Sequence, residues 1–186
     1  MKAIVIYKSK TGFTKRYAEW ICEELKCEIS NYRNLNLSSL DNYDFVIYGS
    51  RIHAGKVDGL KNMKKMFVNN EGAKLIVFAT GATPFEAKDN IDKIWKANFS
   101  EQELKTIPHF YTQSGLNYEK MGIGDRLIMK SLAKMLSSKN KKSKEESGCE
   151  EAIVKSHDIS SREYIEPLVR FIKNSSINSN LTSRFR

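Results

Sequence analysis

The apolar run Ala3-Ile4-Val5-Ile6-Tyr7 stops at Ser9-Lys10-Thr11-Gly12-Phe13-Thr14 and passes directly into a helical pattern over residues 13–26. A strand that is apolar on both faces belongs inside a sheet covered on both sides, as parallel sheets are. The hydroxyl-rich turn that follows aims several backbone N–H groups and the positive end of a helix at one point, which is how a fold seats an anion. Gly12 provides a position that tolerates φ > 0, and Ser9, Thr11 and Thr14 add hydroxyls. The loop carries neither G-x-x-x-x-G-K-[ST] nor G-x-G-x-x-G, so it is not written as a triphosphate cradle or a dinucleotide turn. A phosphomonoester suits it better.

Strand patterns recur at residues 2–8, 27–32, 44–49, 73–80 and 108–113. Helical patterns alternate with them at about 13–26, 57–69 and 86–97, and a short helix follows the capping box Ser100-x-x-Glu103. Alternation with right-handed crossovers predicts a single α/β domain over residues 1–173, a doubly wound five-stranded parallel sheet. Beyond strand five, residues 118–136 form a basic, Met-rich amphipathic pattern containing Met121, Leu127, Ile128, Met129, Leu132 and Met135, with Arg126, Lys130 and Lys134 between them. Residues 137–151 are Ser/Lys/Glu-rich and predict a mobile charged loop. A last helix is expected from Ser160, capped by Ser160-x-x-Glu163 and kinked or delayed by Pro167; residues 174–186, rich in Asn and Ser, predict a frayed polar tail.

No apolar stretch approaches the roughly 18 residues of a membrane span, and the N-terminus enters a strand without a signal pattern, so a cytoplasmic protein is expected. Cys22, Cys27 and Cys149 lack metal-ligand spacing; no metal site is expected, and the thiols read as buried or idle. The net charge of +9 calls for an anionic partner: an acidic protein, a polycarboxylate or anionic lipid. Nucleic acid is set aside, because no recognised binding pattern accompanies the charge.

The pattern S/T-x-T-G-x-T after strand one resembles the FMN phosphate loop of the flavodoxin family. Gly49-Ser50-Arg51-Ile52-His53-Ala54-Gly55 after strand three and Thr80-Gly81-Ala82-Thr83-Pro84 after strand four stand where flavodoxin-like proteins hold the flavin ring. The resemblance implies the sheet order 2-1-3-4-5, with a switch point between strands one and three. It implies FMN as cofactor. Gly-Ser-x-Ile-His-x-Gly, the segment Ser114-Gly115-Leu116-Asn117-Tyr118 and the basic Met-rich helix are together similar to the menaquinone-dependent protoporphyrinogen dehydrogenase branch. Gln113-Ser114-Gly115 departs from that branch, where an Arg is expected before the Gly of this loop. The function implied is transfer of electrons from an organic donor through flavin to a quinone. The alternative is a soluble electron carrier of the flavodoxin type, against which the basic charge stands; a fold that has lost FMN is opposed by the intact phosphate loop.

The residues assigned to the cofactor are Ser9, Lys10, Thr11, Gly12, Phe13 and Thr14; Ser50, Arg51, Ile52, His53, Ala54 and Gly55; Thr80, Gly81, Ala82 and Thr83; and Gly115, Leu116 and Asn117. Arg51 and His53 are the candidates for chemistry, as donors toward the part of the ring that gains negative charge on reduction. Arg51 reads equally as a solvated arginine, and His53 as a loop-packing residue. Lys10 either faces the phosphate or is solvated, Phe13 covers the cofactor or packs beneath the helix, and Tyr118 stacks on flavin or is buried. His109 and His157 read as structural. Helix 118–136 either covers the sheet or docks on anionic lipid or a partner, which would place the protein peripherally at the inner face of the membrane.

Overall fold

The computed structural model of the protein describes residues 2–35, 37–67, 72–138, 153 and 155–183. Six strands, β1 (Ala3–Lys8), β2 (Glu28–Asn31), β3 (Phe45–His53), β4 (Lys56–Val57), β5 (Lys74–Gly81) and β6 (His109–Gln113), form one sheet. Its parallel part runs β2-β1-β3-β5-β6, with the two-residue β4 antiparallel to β3. Leaving β4 aside, this is the order 2-1-3-4-5 that the resemblance implies.

Alternation along each strand splits the core in two. Ile4 pairs in register with Val46 and Val46 with Leu75, so these three side chains share a face. With Ile6, Tyr48 and Val77 they pack under Leu60 and Met63 of α2 (Leu60–Phe67) and Ile91 and Trp95 of α3 (Lys88–Asn98). The intervening residues Val5, Phe45, Ile47, Ile76 and Phe78 turn to the opposite face. There they meet Tyr17, Ala18, Ile21 and Leu25 of α1 (Phe13–Leu25) and Leu168, Val169 and Ile172 of α6 (Glu166–Ser183). The spacing of the α1 residues is that of one helical stripe.

The capping box at Ser100 is formed at both ends: its hydroxyl accepts from the Glu103 amide at 3.2 Å, and the Glu103 carboxylate accepts from the Ser100 amide at 2.7 Å, opening α4 (Glu101–Thr106). Three expectations are corrected. Strand β3 runs on to His53 because β4 supplies partners for Ile52 and His53. The final helix is capped by Ser161, not Ser160, through a 3₁₀ turn Arg162–Ile165, and Pro167 falls in the first turn of α6, where its missing N–H is tolerated. Residues 174–183 continue α6 instead of fraying from it. The charged loop 137–151 falls outside the described residues, except that Ser137 closes α5 (Ile123–Ser137) and Ser138 follows it.

Candidate functional site

Because the chain leaves β1 for β2 on one side and leaves the adjacent β3 for β5 on the other, the connections from β1 and β3 diverge and open a crevice at the carboxyl ends of the strands. On one side lies loop 9–14. Gly12 has φ 101°, a conformation that strains any L-residue, and its amide donates to Ser9 Oγ at 3.2 Å. Its carbonyl accepts from the Arg16 amide at 3.0 Å and starts α1. The amides of Thr11, Phe13 and Thr14 meet no acceptor among the described residues, as expected at a helix start awaiting an external partner.

Across the crevice the chain turns from β3 into β4 through Ala54 (φ 48°) and Gly55 (φ 75°), the two left-handed positions of a tight hairpin. Arg51 and His53, two residues apart on an extended strand, reach the same group, Asp125 of α5. Thr80, Gly81 and Ala82 from the end of β5 and Ser114 to Asn117 after β6 complete the wall. Gly115 permits a close approach there: a Cβ on it would lie 1.7 Å from the His157 carbonyl oxygen. That approach lets Leu116 and His157 exchange two backbone hydrogen bonds of 2.9 Å.

Helix α5 does not cover a sheet face, the role a crossover helix would fill. It roofs the crevice, leaving ≈ 160 Å³ beneath Met121, Asp125, Ile128 and Met129. A second hollow of ≈ 420 Å³ adjoins it outside loop 9–14, bordered by Arg16, Lys120 and His157; Thr11, Phe13, Leu116 and Asn117 border both. Asp125 Oδ2 lies 2.9 Å from Lys10 Nζ and 2.9 Å from Arg51 Nη1, and Oδ1 lies 3.0 Å from His53 Nε2. The Lys10 ammonium first, then the Arg51 guanidinium, hold the Asp125 carboxyl down at about 2 against the opposing effect of its burial. His53 Nε2 and Arg51 Nε are nonetheless buried without a properly aligned hydrogen bond, so the cluster retains two polar nitrogens to satisfy.

The crevice brings together Thr11, Phe13, Thr14, Arg51, Ile52, His53, Ala54, Thr80, Gly81, Ala82, Gly115, Leu116 and Asn117. Gly12 borders only the outer hollow. The remaining residues take other positions. Ser9 braces the loop, Ser50 is fully buried with its hydroxyl donating to the Lys8 carbonyl at 3.3 Å, and the Thr83 carbonyl accepts from Tyr111 at 2.7 Å. Gly55 lies on the hairpin beyond the wall, and Lys10 pairs with Asp125. Tyr118 neither stacks in the crevice nor lines it; its hydroxyl donates to the Ile153 carbonyl. His109 packs against Trp95 and Phe99. Asp125 went unread in the sequence, and Ser114, Met121 and Met129 were read without a place in the crevice wall. A lone acid two residues into a basic helix was the available signal for the first.

A parallel sheet of this order with a crevice at its switch point defines the flavodoxin-like class of α/β proteins. The chain belongs to the flavodoxin domain family, whose model matches residues 4–144. An uncharacterized protein of Methanocaldococcus jannaschii is 32% identical over 88 residues, 46% of this chain and 57% of that protein, so the match spans little more than half of that relative's length. Among solved structures, a flavodoxin from the domain Archaea is 16% identical with a TM-score of 0.40, covering 83% of this chain and 94% of that one. Oxidised Flavodoxin 2 from Bacillus cereus is 17% identical at a TM-score of 0.45, covering 83% and 96%. A flavoprotein in complex with FMN from Lactobacillus acidophilus is 18% identical at 0.39, covering 60% and 91%.

Proposed function

We propose that this chain binds FMN at the switch-point crevice and works as a redox protein that takes electrons from an organic donor and passes them to a quinone. The observation that carries the reading is the set of donors left over: the Thr11, Phe13 and Thr14 amides at the start of α1, and the buried Arg51 Nε and His53 Nε2 across from them. The first group suits a phosphate; the second suits the electron-rich edge of a ring. Bound FMN supplies one- and two-electron redox chemistry at this place. With FMN bound, Arg51 and His53 would offset negative charge on the reduced ring, Thr80 and Gly81 would line the side across from them, and α5 would exclude water. The ≈ 160 Å³ beneath α5 is smaller than the roughly 300–1,000 Å³ of ordinary ligand pockets, so α5 would have to lift to admit the cofactor.

The quinone-linked, protoporphyrinogen dehydrogenase-like version draws on α5. Met121, Ile128 and Met129 give the crevice an apolar roof, while Ile123 and Leu127 are exposed at 89% and 64% beside Arg126 and Lys130. An apolar stripe flanked by cations fits an anionic membrane surface, where quinones reside. No helix among the described residues is long and apolar enough to cross a membrane, so attachment through α5 is peripheral. A second reading, a diffusing electron carrier, is favoured by the match of the flavodoxin domain to residues 4–144.

Titration of the protein with FMN, followed by quenching of flavin fluorescence, tests the central claim. Stoichiometric binding weakened about tenfold or more by Thr11→Ala or Thr14→Ala is expected. Absence of binding at micromolar FMN sinks it. Anaerobic bleaching by protoporphyrinogen, reversed by a water-soluble menaquinone analogue, separates the dehydrogenase from the carrier, which shows neither at a useful rate.

A further inference from the structure

At the far end of α1 the helix stops on Lys26, whose φ of 51° is left-handed. The Lys26 and Cys27 amides both turn back to the Cys22 carbonyl, the latter at 3.3 Å. This left-handed ending carries the 6→1 hydrogen bond of a Schellman turn together with a 5→1 bond to the same carbonyl, and it brings together the side chains at the fourth-last helical position and just past the turn. That contact is usually hydrophobic. Here both positions are cysteine, and Cys22 Sγ lies 3.3 Å from Cys27 Sγ.

We propose that Cys22 and Cys27 are a redox-active dithiol that closes reversibly to an intramolecular disulfide. Both thiols are free and only half-buried, so a small oxidant reaches them. Their contact is fixed by backbone hydrogen bonds and does not depend on flexible side chains, which puts the two sulfurs on one side of the turn before any oxidant arrives. The hydrogen bond between them splits their acidity. Cys22 is pushed up by its hydrogen bond with Cys27, and Cys27 is lowered by the same contact, making Cys27 the attacking thiolate.

With a low-molecular-weight disulfide as oxidant, the Cys27 thiolate attacks one sulfur, the small S–S bond breaks, and one small thiol departs. Cys22, giving its proton to solvent, then attacks Cys27 Sγ and expels the second small thiol. Two protein thiols and one small disulfide become one protein disulfide and two small thiols. The product ties the last turn of α1 to the start of β2 and holds Lys26 in its left-handed conformation. The pair lies at the opposite end of α1 from loop 9–14, so the inference stands apart from the flavin reading.

The test is treatment of the full chain, and of its Cys149→Ser variant, with oxidised glutathione, followed by alkylation, trypsin digestion and mass mapping. Trypsin cuts after Lys26, between the two cysteines, so a disulfide appears as peptides 17–26 and 27–33 still joined. The expected result is that linkage in most molecules of both proteins, with loss of two hydrogens, and its disappearance with excess dithiothreitol. Three results each overturn the proposal: both cysteines alkylated after treatment, a glutathione adduct persisting on Cys27 beside a free Cys22, or linkages confined to Cys149.

Discussion

The carboxylate of Asp125 lies 2.9 Å from the guanidinium of Arg51, though the two are 74 residues apart in sequence. One stands on the roofing helix and the other on the end of a central strand, and with Lys10 they close the crevice by charge, while His53 Nε2 approaches the same carboxylate at 3.0 Å. Asp125→Asn keeps the shape and removes that charge. It is expected to cost about 1–2 kcal/mol in urea unfolding, a modest figure because Lys10 and Arg51 are in part solvated. The sign with pH follows from the depressed folded value of about 2. The contribution is present in full above the unfolded carboxylate range, near 4, and is lost as pH falls toward 2. The gap between wild type and Asp125→Asn should therefore be flat from pH 5 to 8 and roughly halved by pH 3. A gap that grows as pH falls excludes this account.

In the proposed function Arg51 serves the reduced cofactor as well as the roof. Replacing it with Gln removes a cation from the ring edge and should move the two-electron flavin potential negative by about 30 mV, equivalent to roughly 1.4 kcal/mol. Spectroelectrochemical titration of the FMN-loaded protein measures this. A potential unchanged in Arg51→Gln assigns the arginine to the roof alone.

Ala54 is held at φ 48° by the hairpin that β4 imposes on β3. A left-handed alanine costs about 1–2 kcal/mol, offset in part by the larger unfolded-state entropy of glycine. Ala54→Gly should accordingly raise stability by about 0.5 kcal/mol, seen as a higher urea midpoint at unchanged slope. A lower midpoint shows that the methyl group packs usefully at the crevice rim.

The outer stripe of α5 can be tested with vesicles of phosphatidylglycerol. Wild-type protein should co-sediment with them at low salt and be released as salt screens the lysines. Ile123→Ser with Leu127→Ser should weaken the association about tenfold or more, since each side chain forfeits an apolar burial of about 1–2 kcal/mol. Equal binding by neutral and anionic vesicles, or none at low salt, removes the membrane from the scheme.

The buried parallel strands were legible because continuous apolar runs such as Phe45-Val46-Ile47-Tyr48 admit one kind of environment, the sheet order came with the resemblance that loop 9–14 carries, and the box at Ser100 follows a local rule. Elements set by distant partners were less legible. The extension of β3 to His53 depends on a two-residue strand too short to leave a period, and the ending of α1 depends on a lysine in a conformation normally given to glycine. Asp125 was hidden for a third reason. Its role exists only after the fold has carried α5 across the strand ends to Lys10 and Arg51, and no spacing along the chain encodes that meeting.

The pairing of Leu116 with His157 has a topological consequence. The Tyr118 amide donates to Ser156 Oγ at 2.9 Å, and Ser156 in turn donates to Glu119 Oε2 at 2.9 Å, so the chain leaves and re-enters the domain at one narrow neck. The described residues beyond that neck, 120–138, add no strand to the sheet, and Asp125 ties them back to Lys10 and Arg51. Substitutions along α5 therefore retune what the crevice admits while every strand pairing of the scaffold stays fixed.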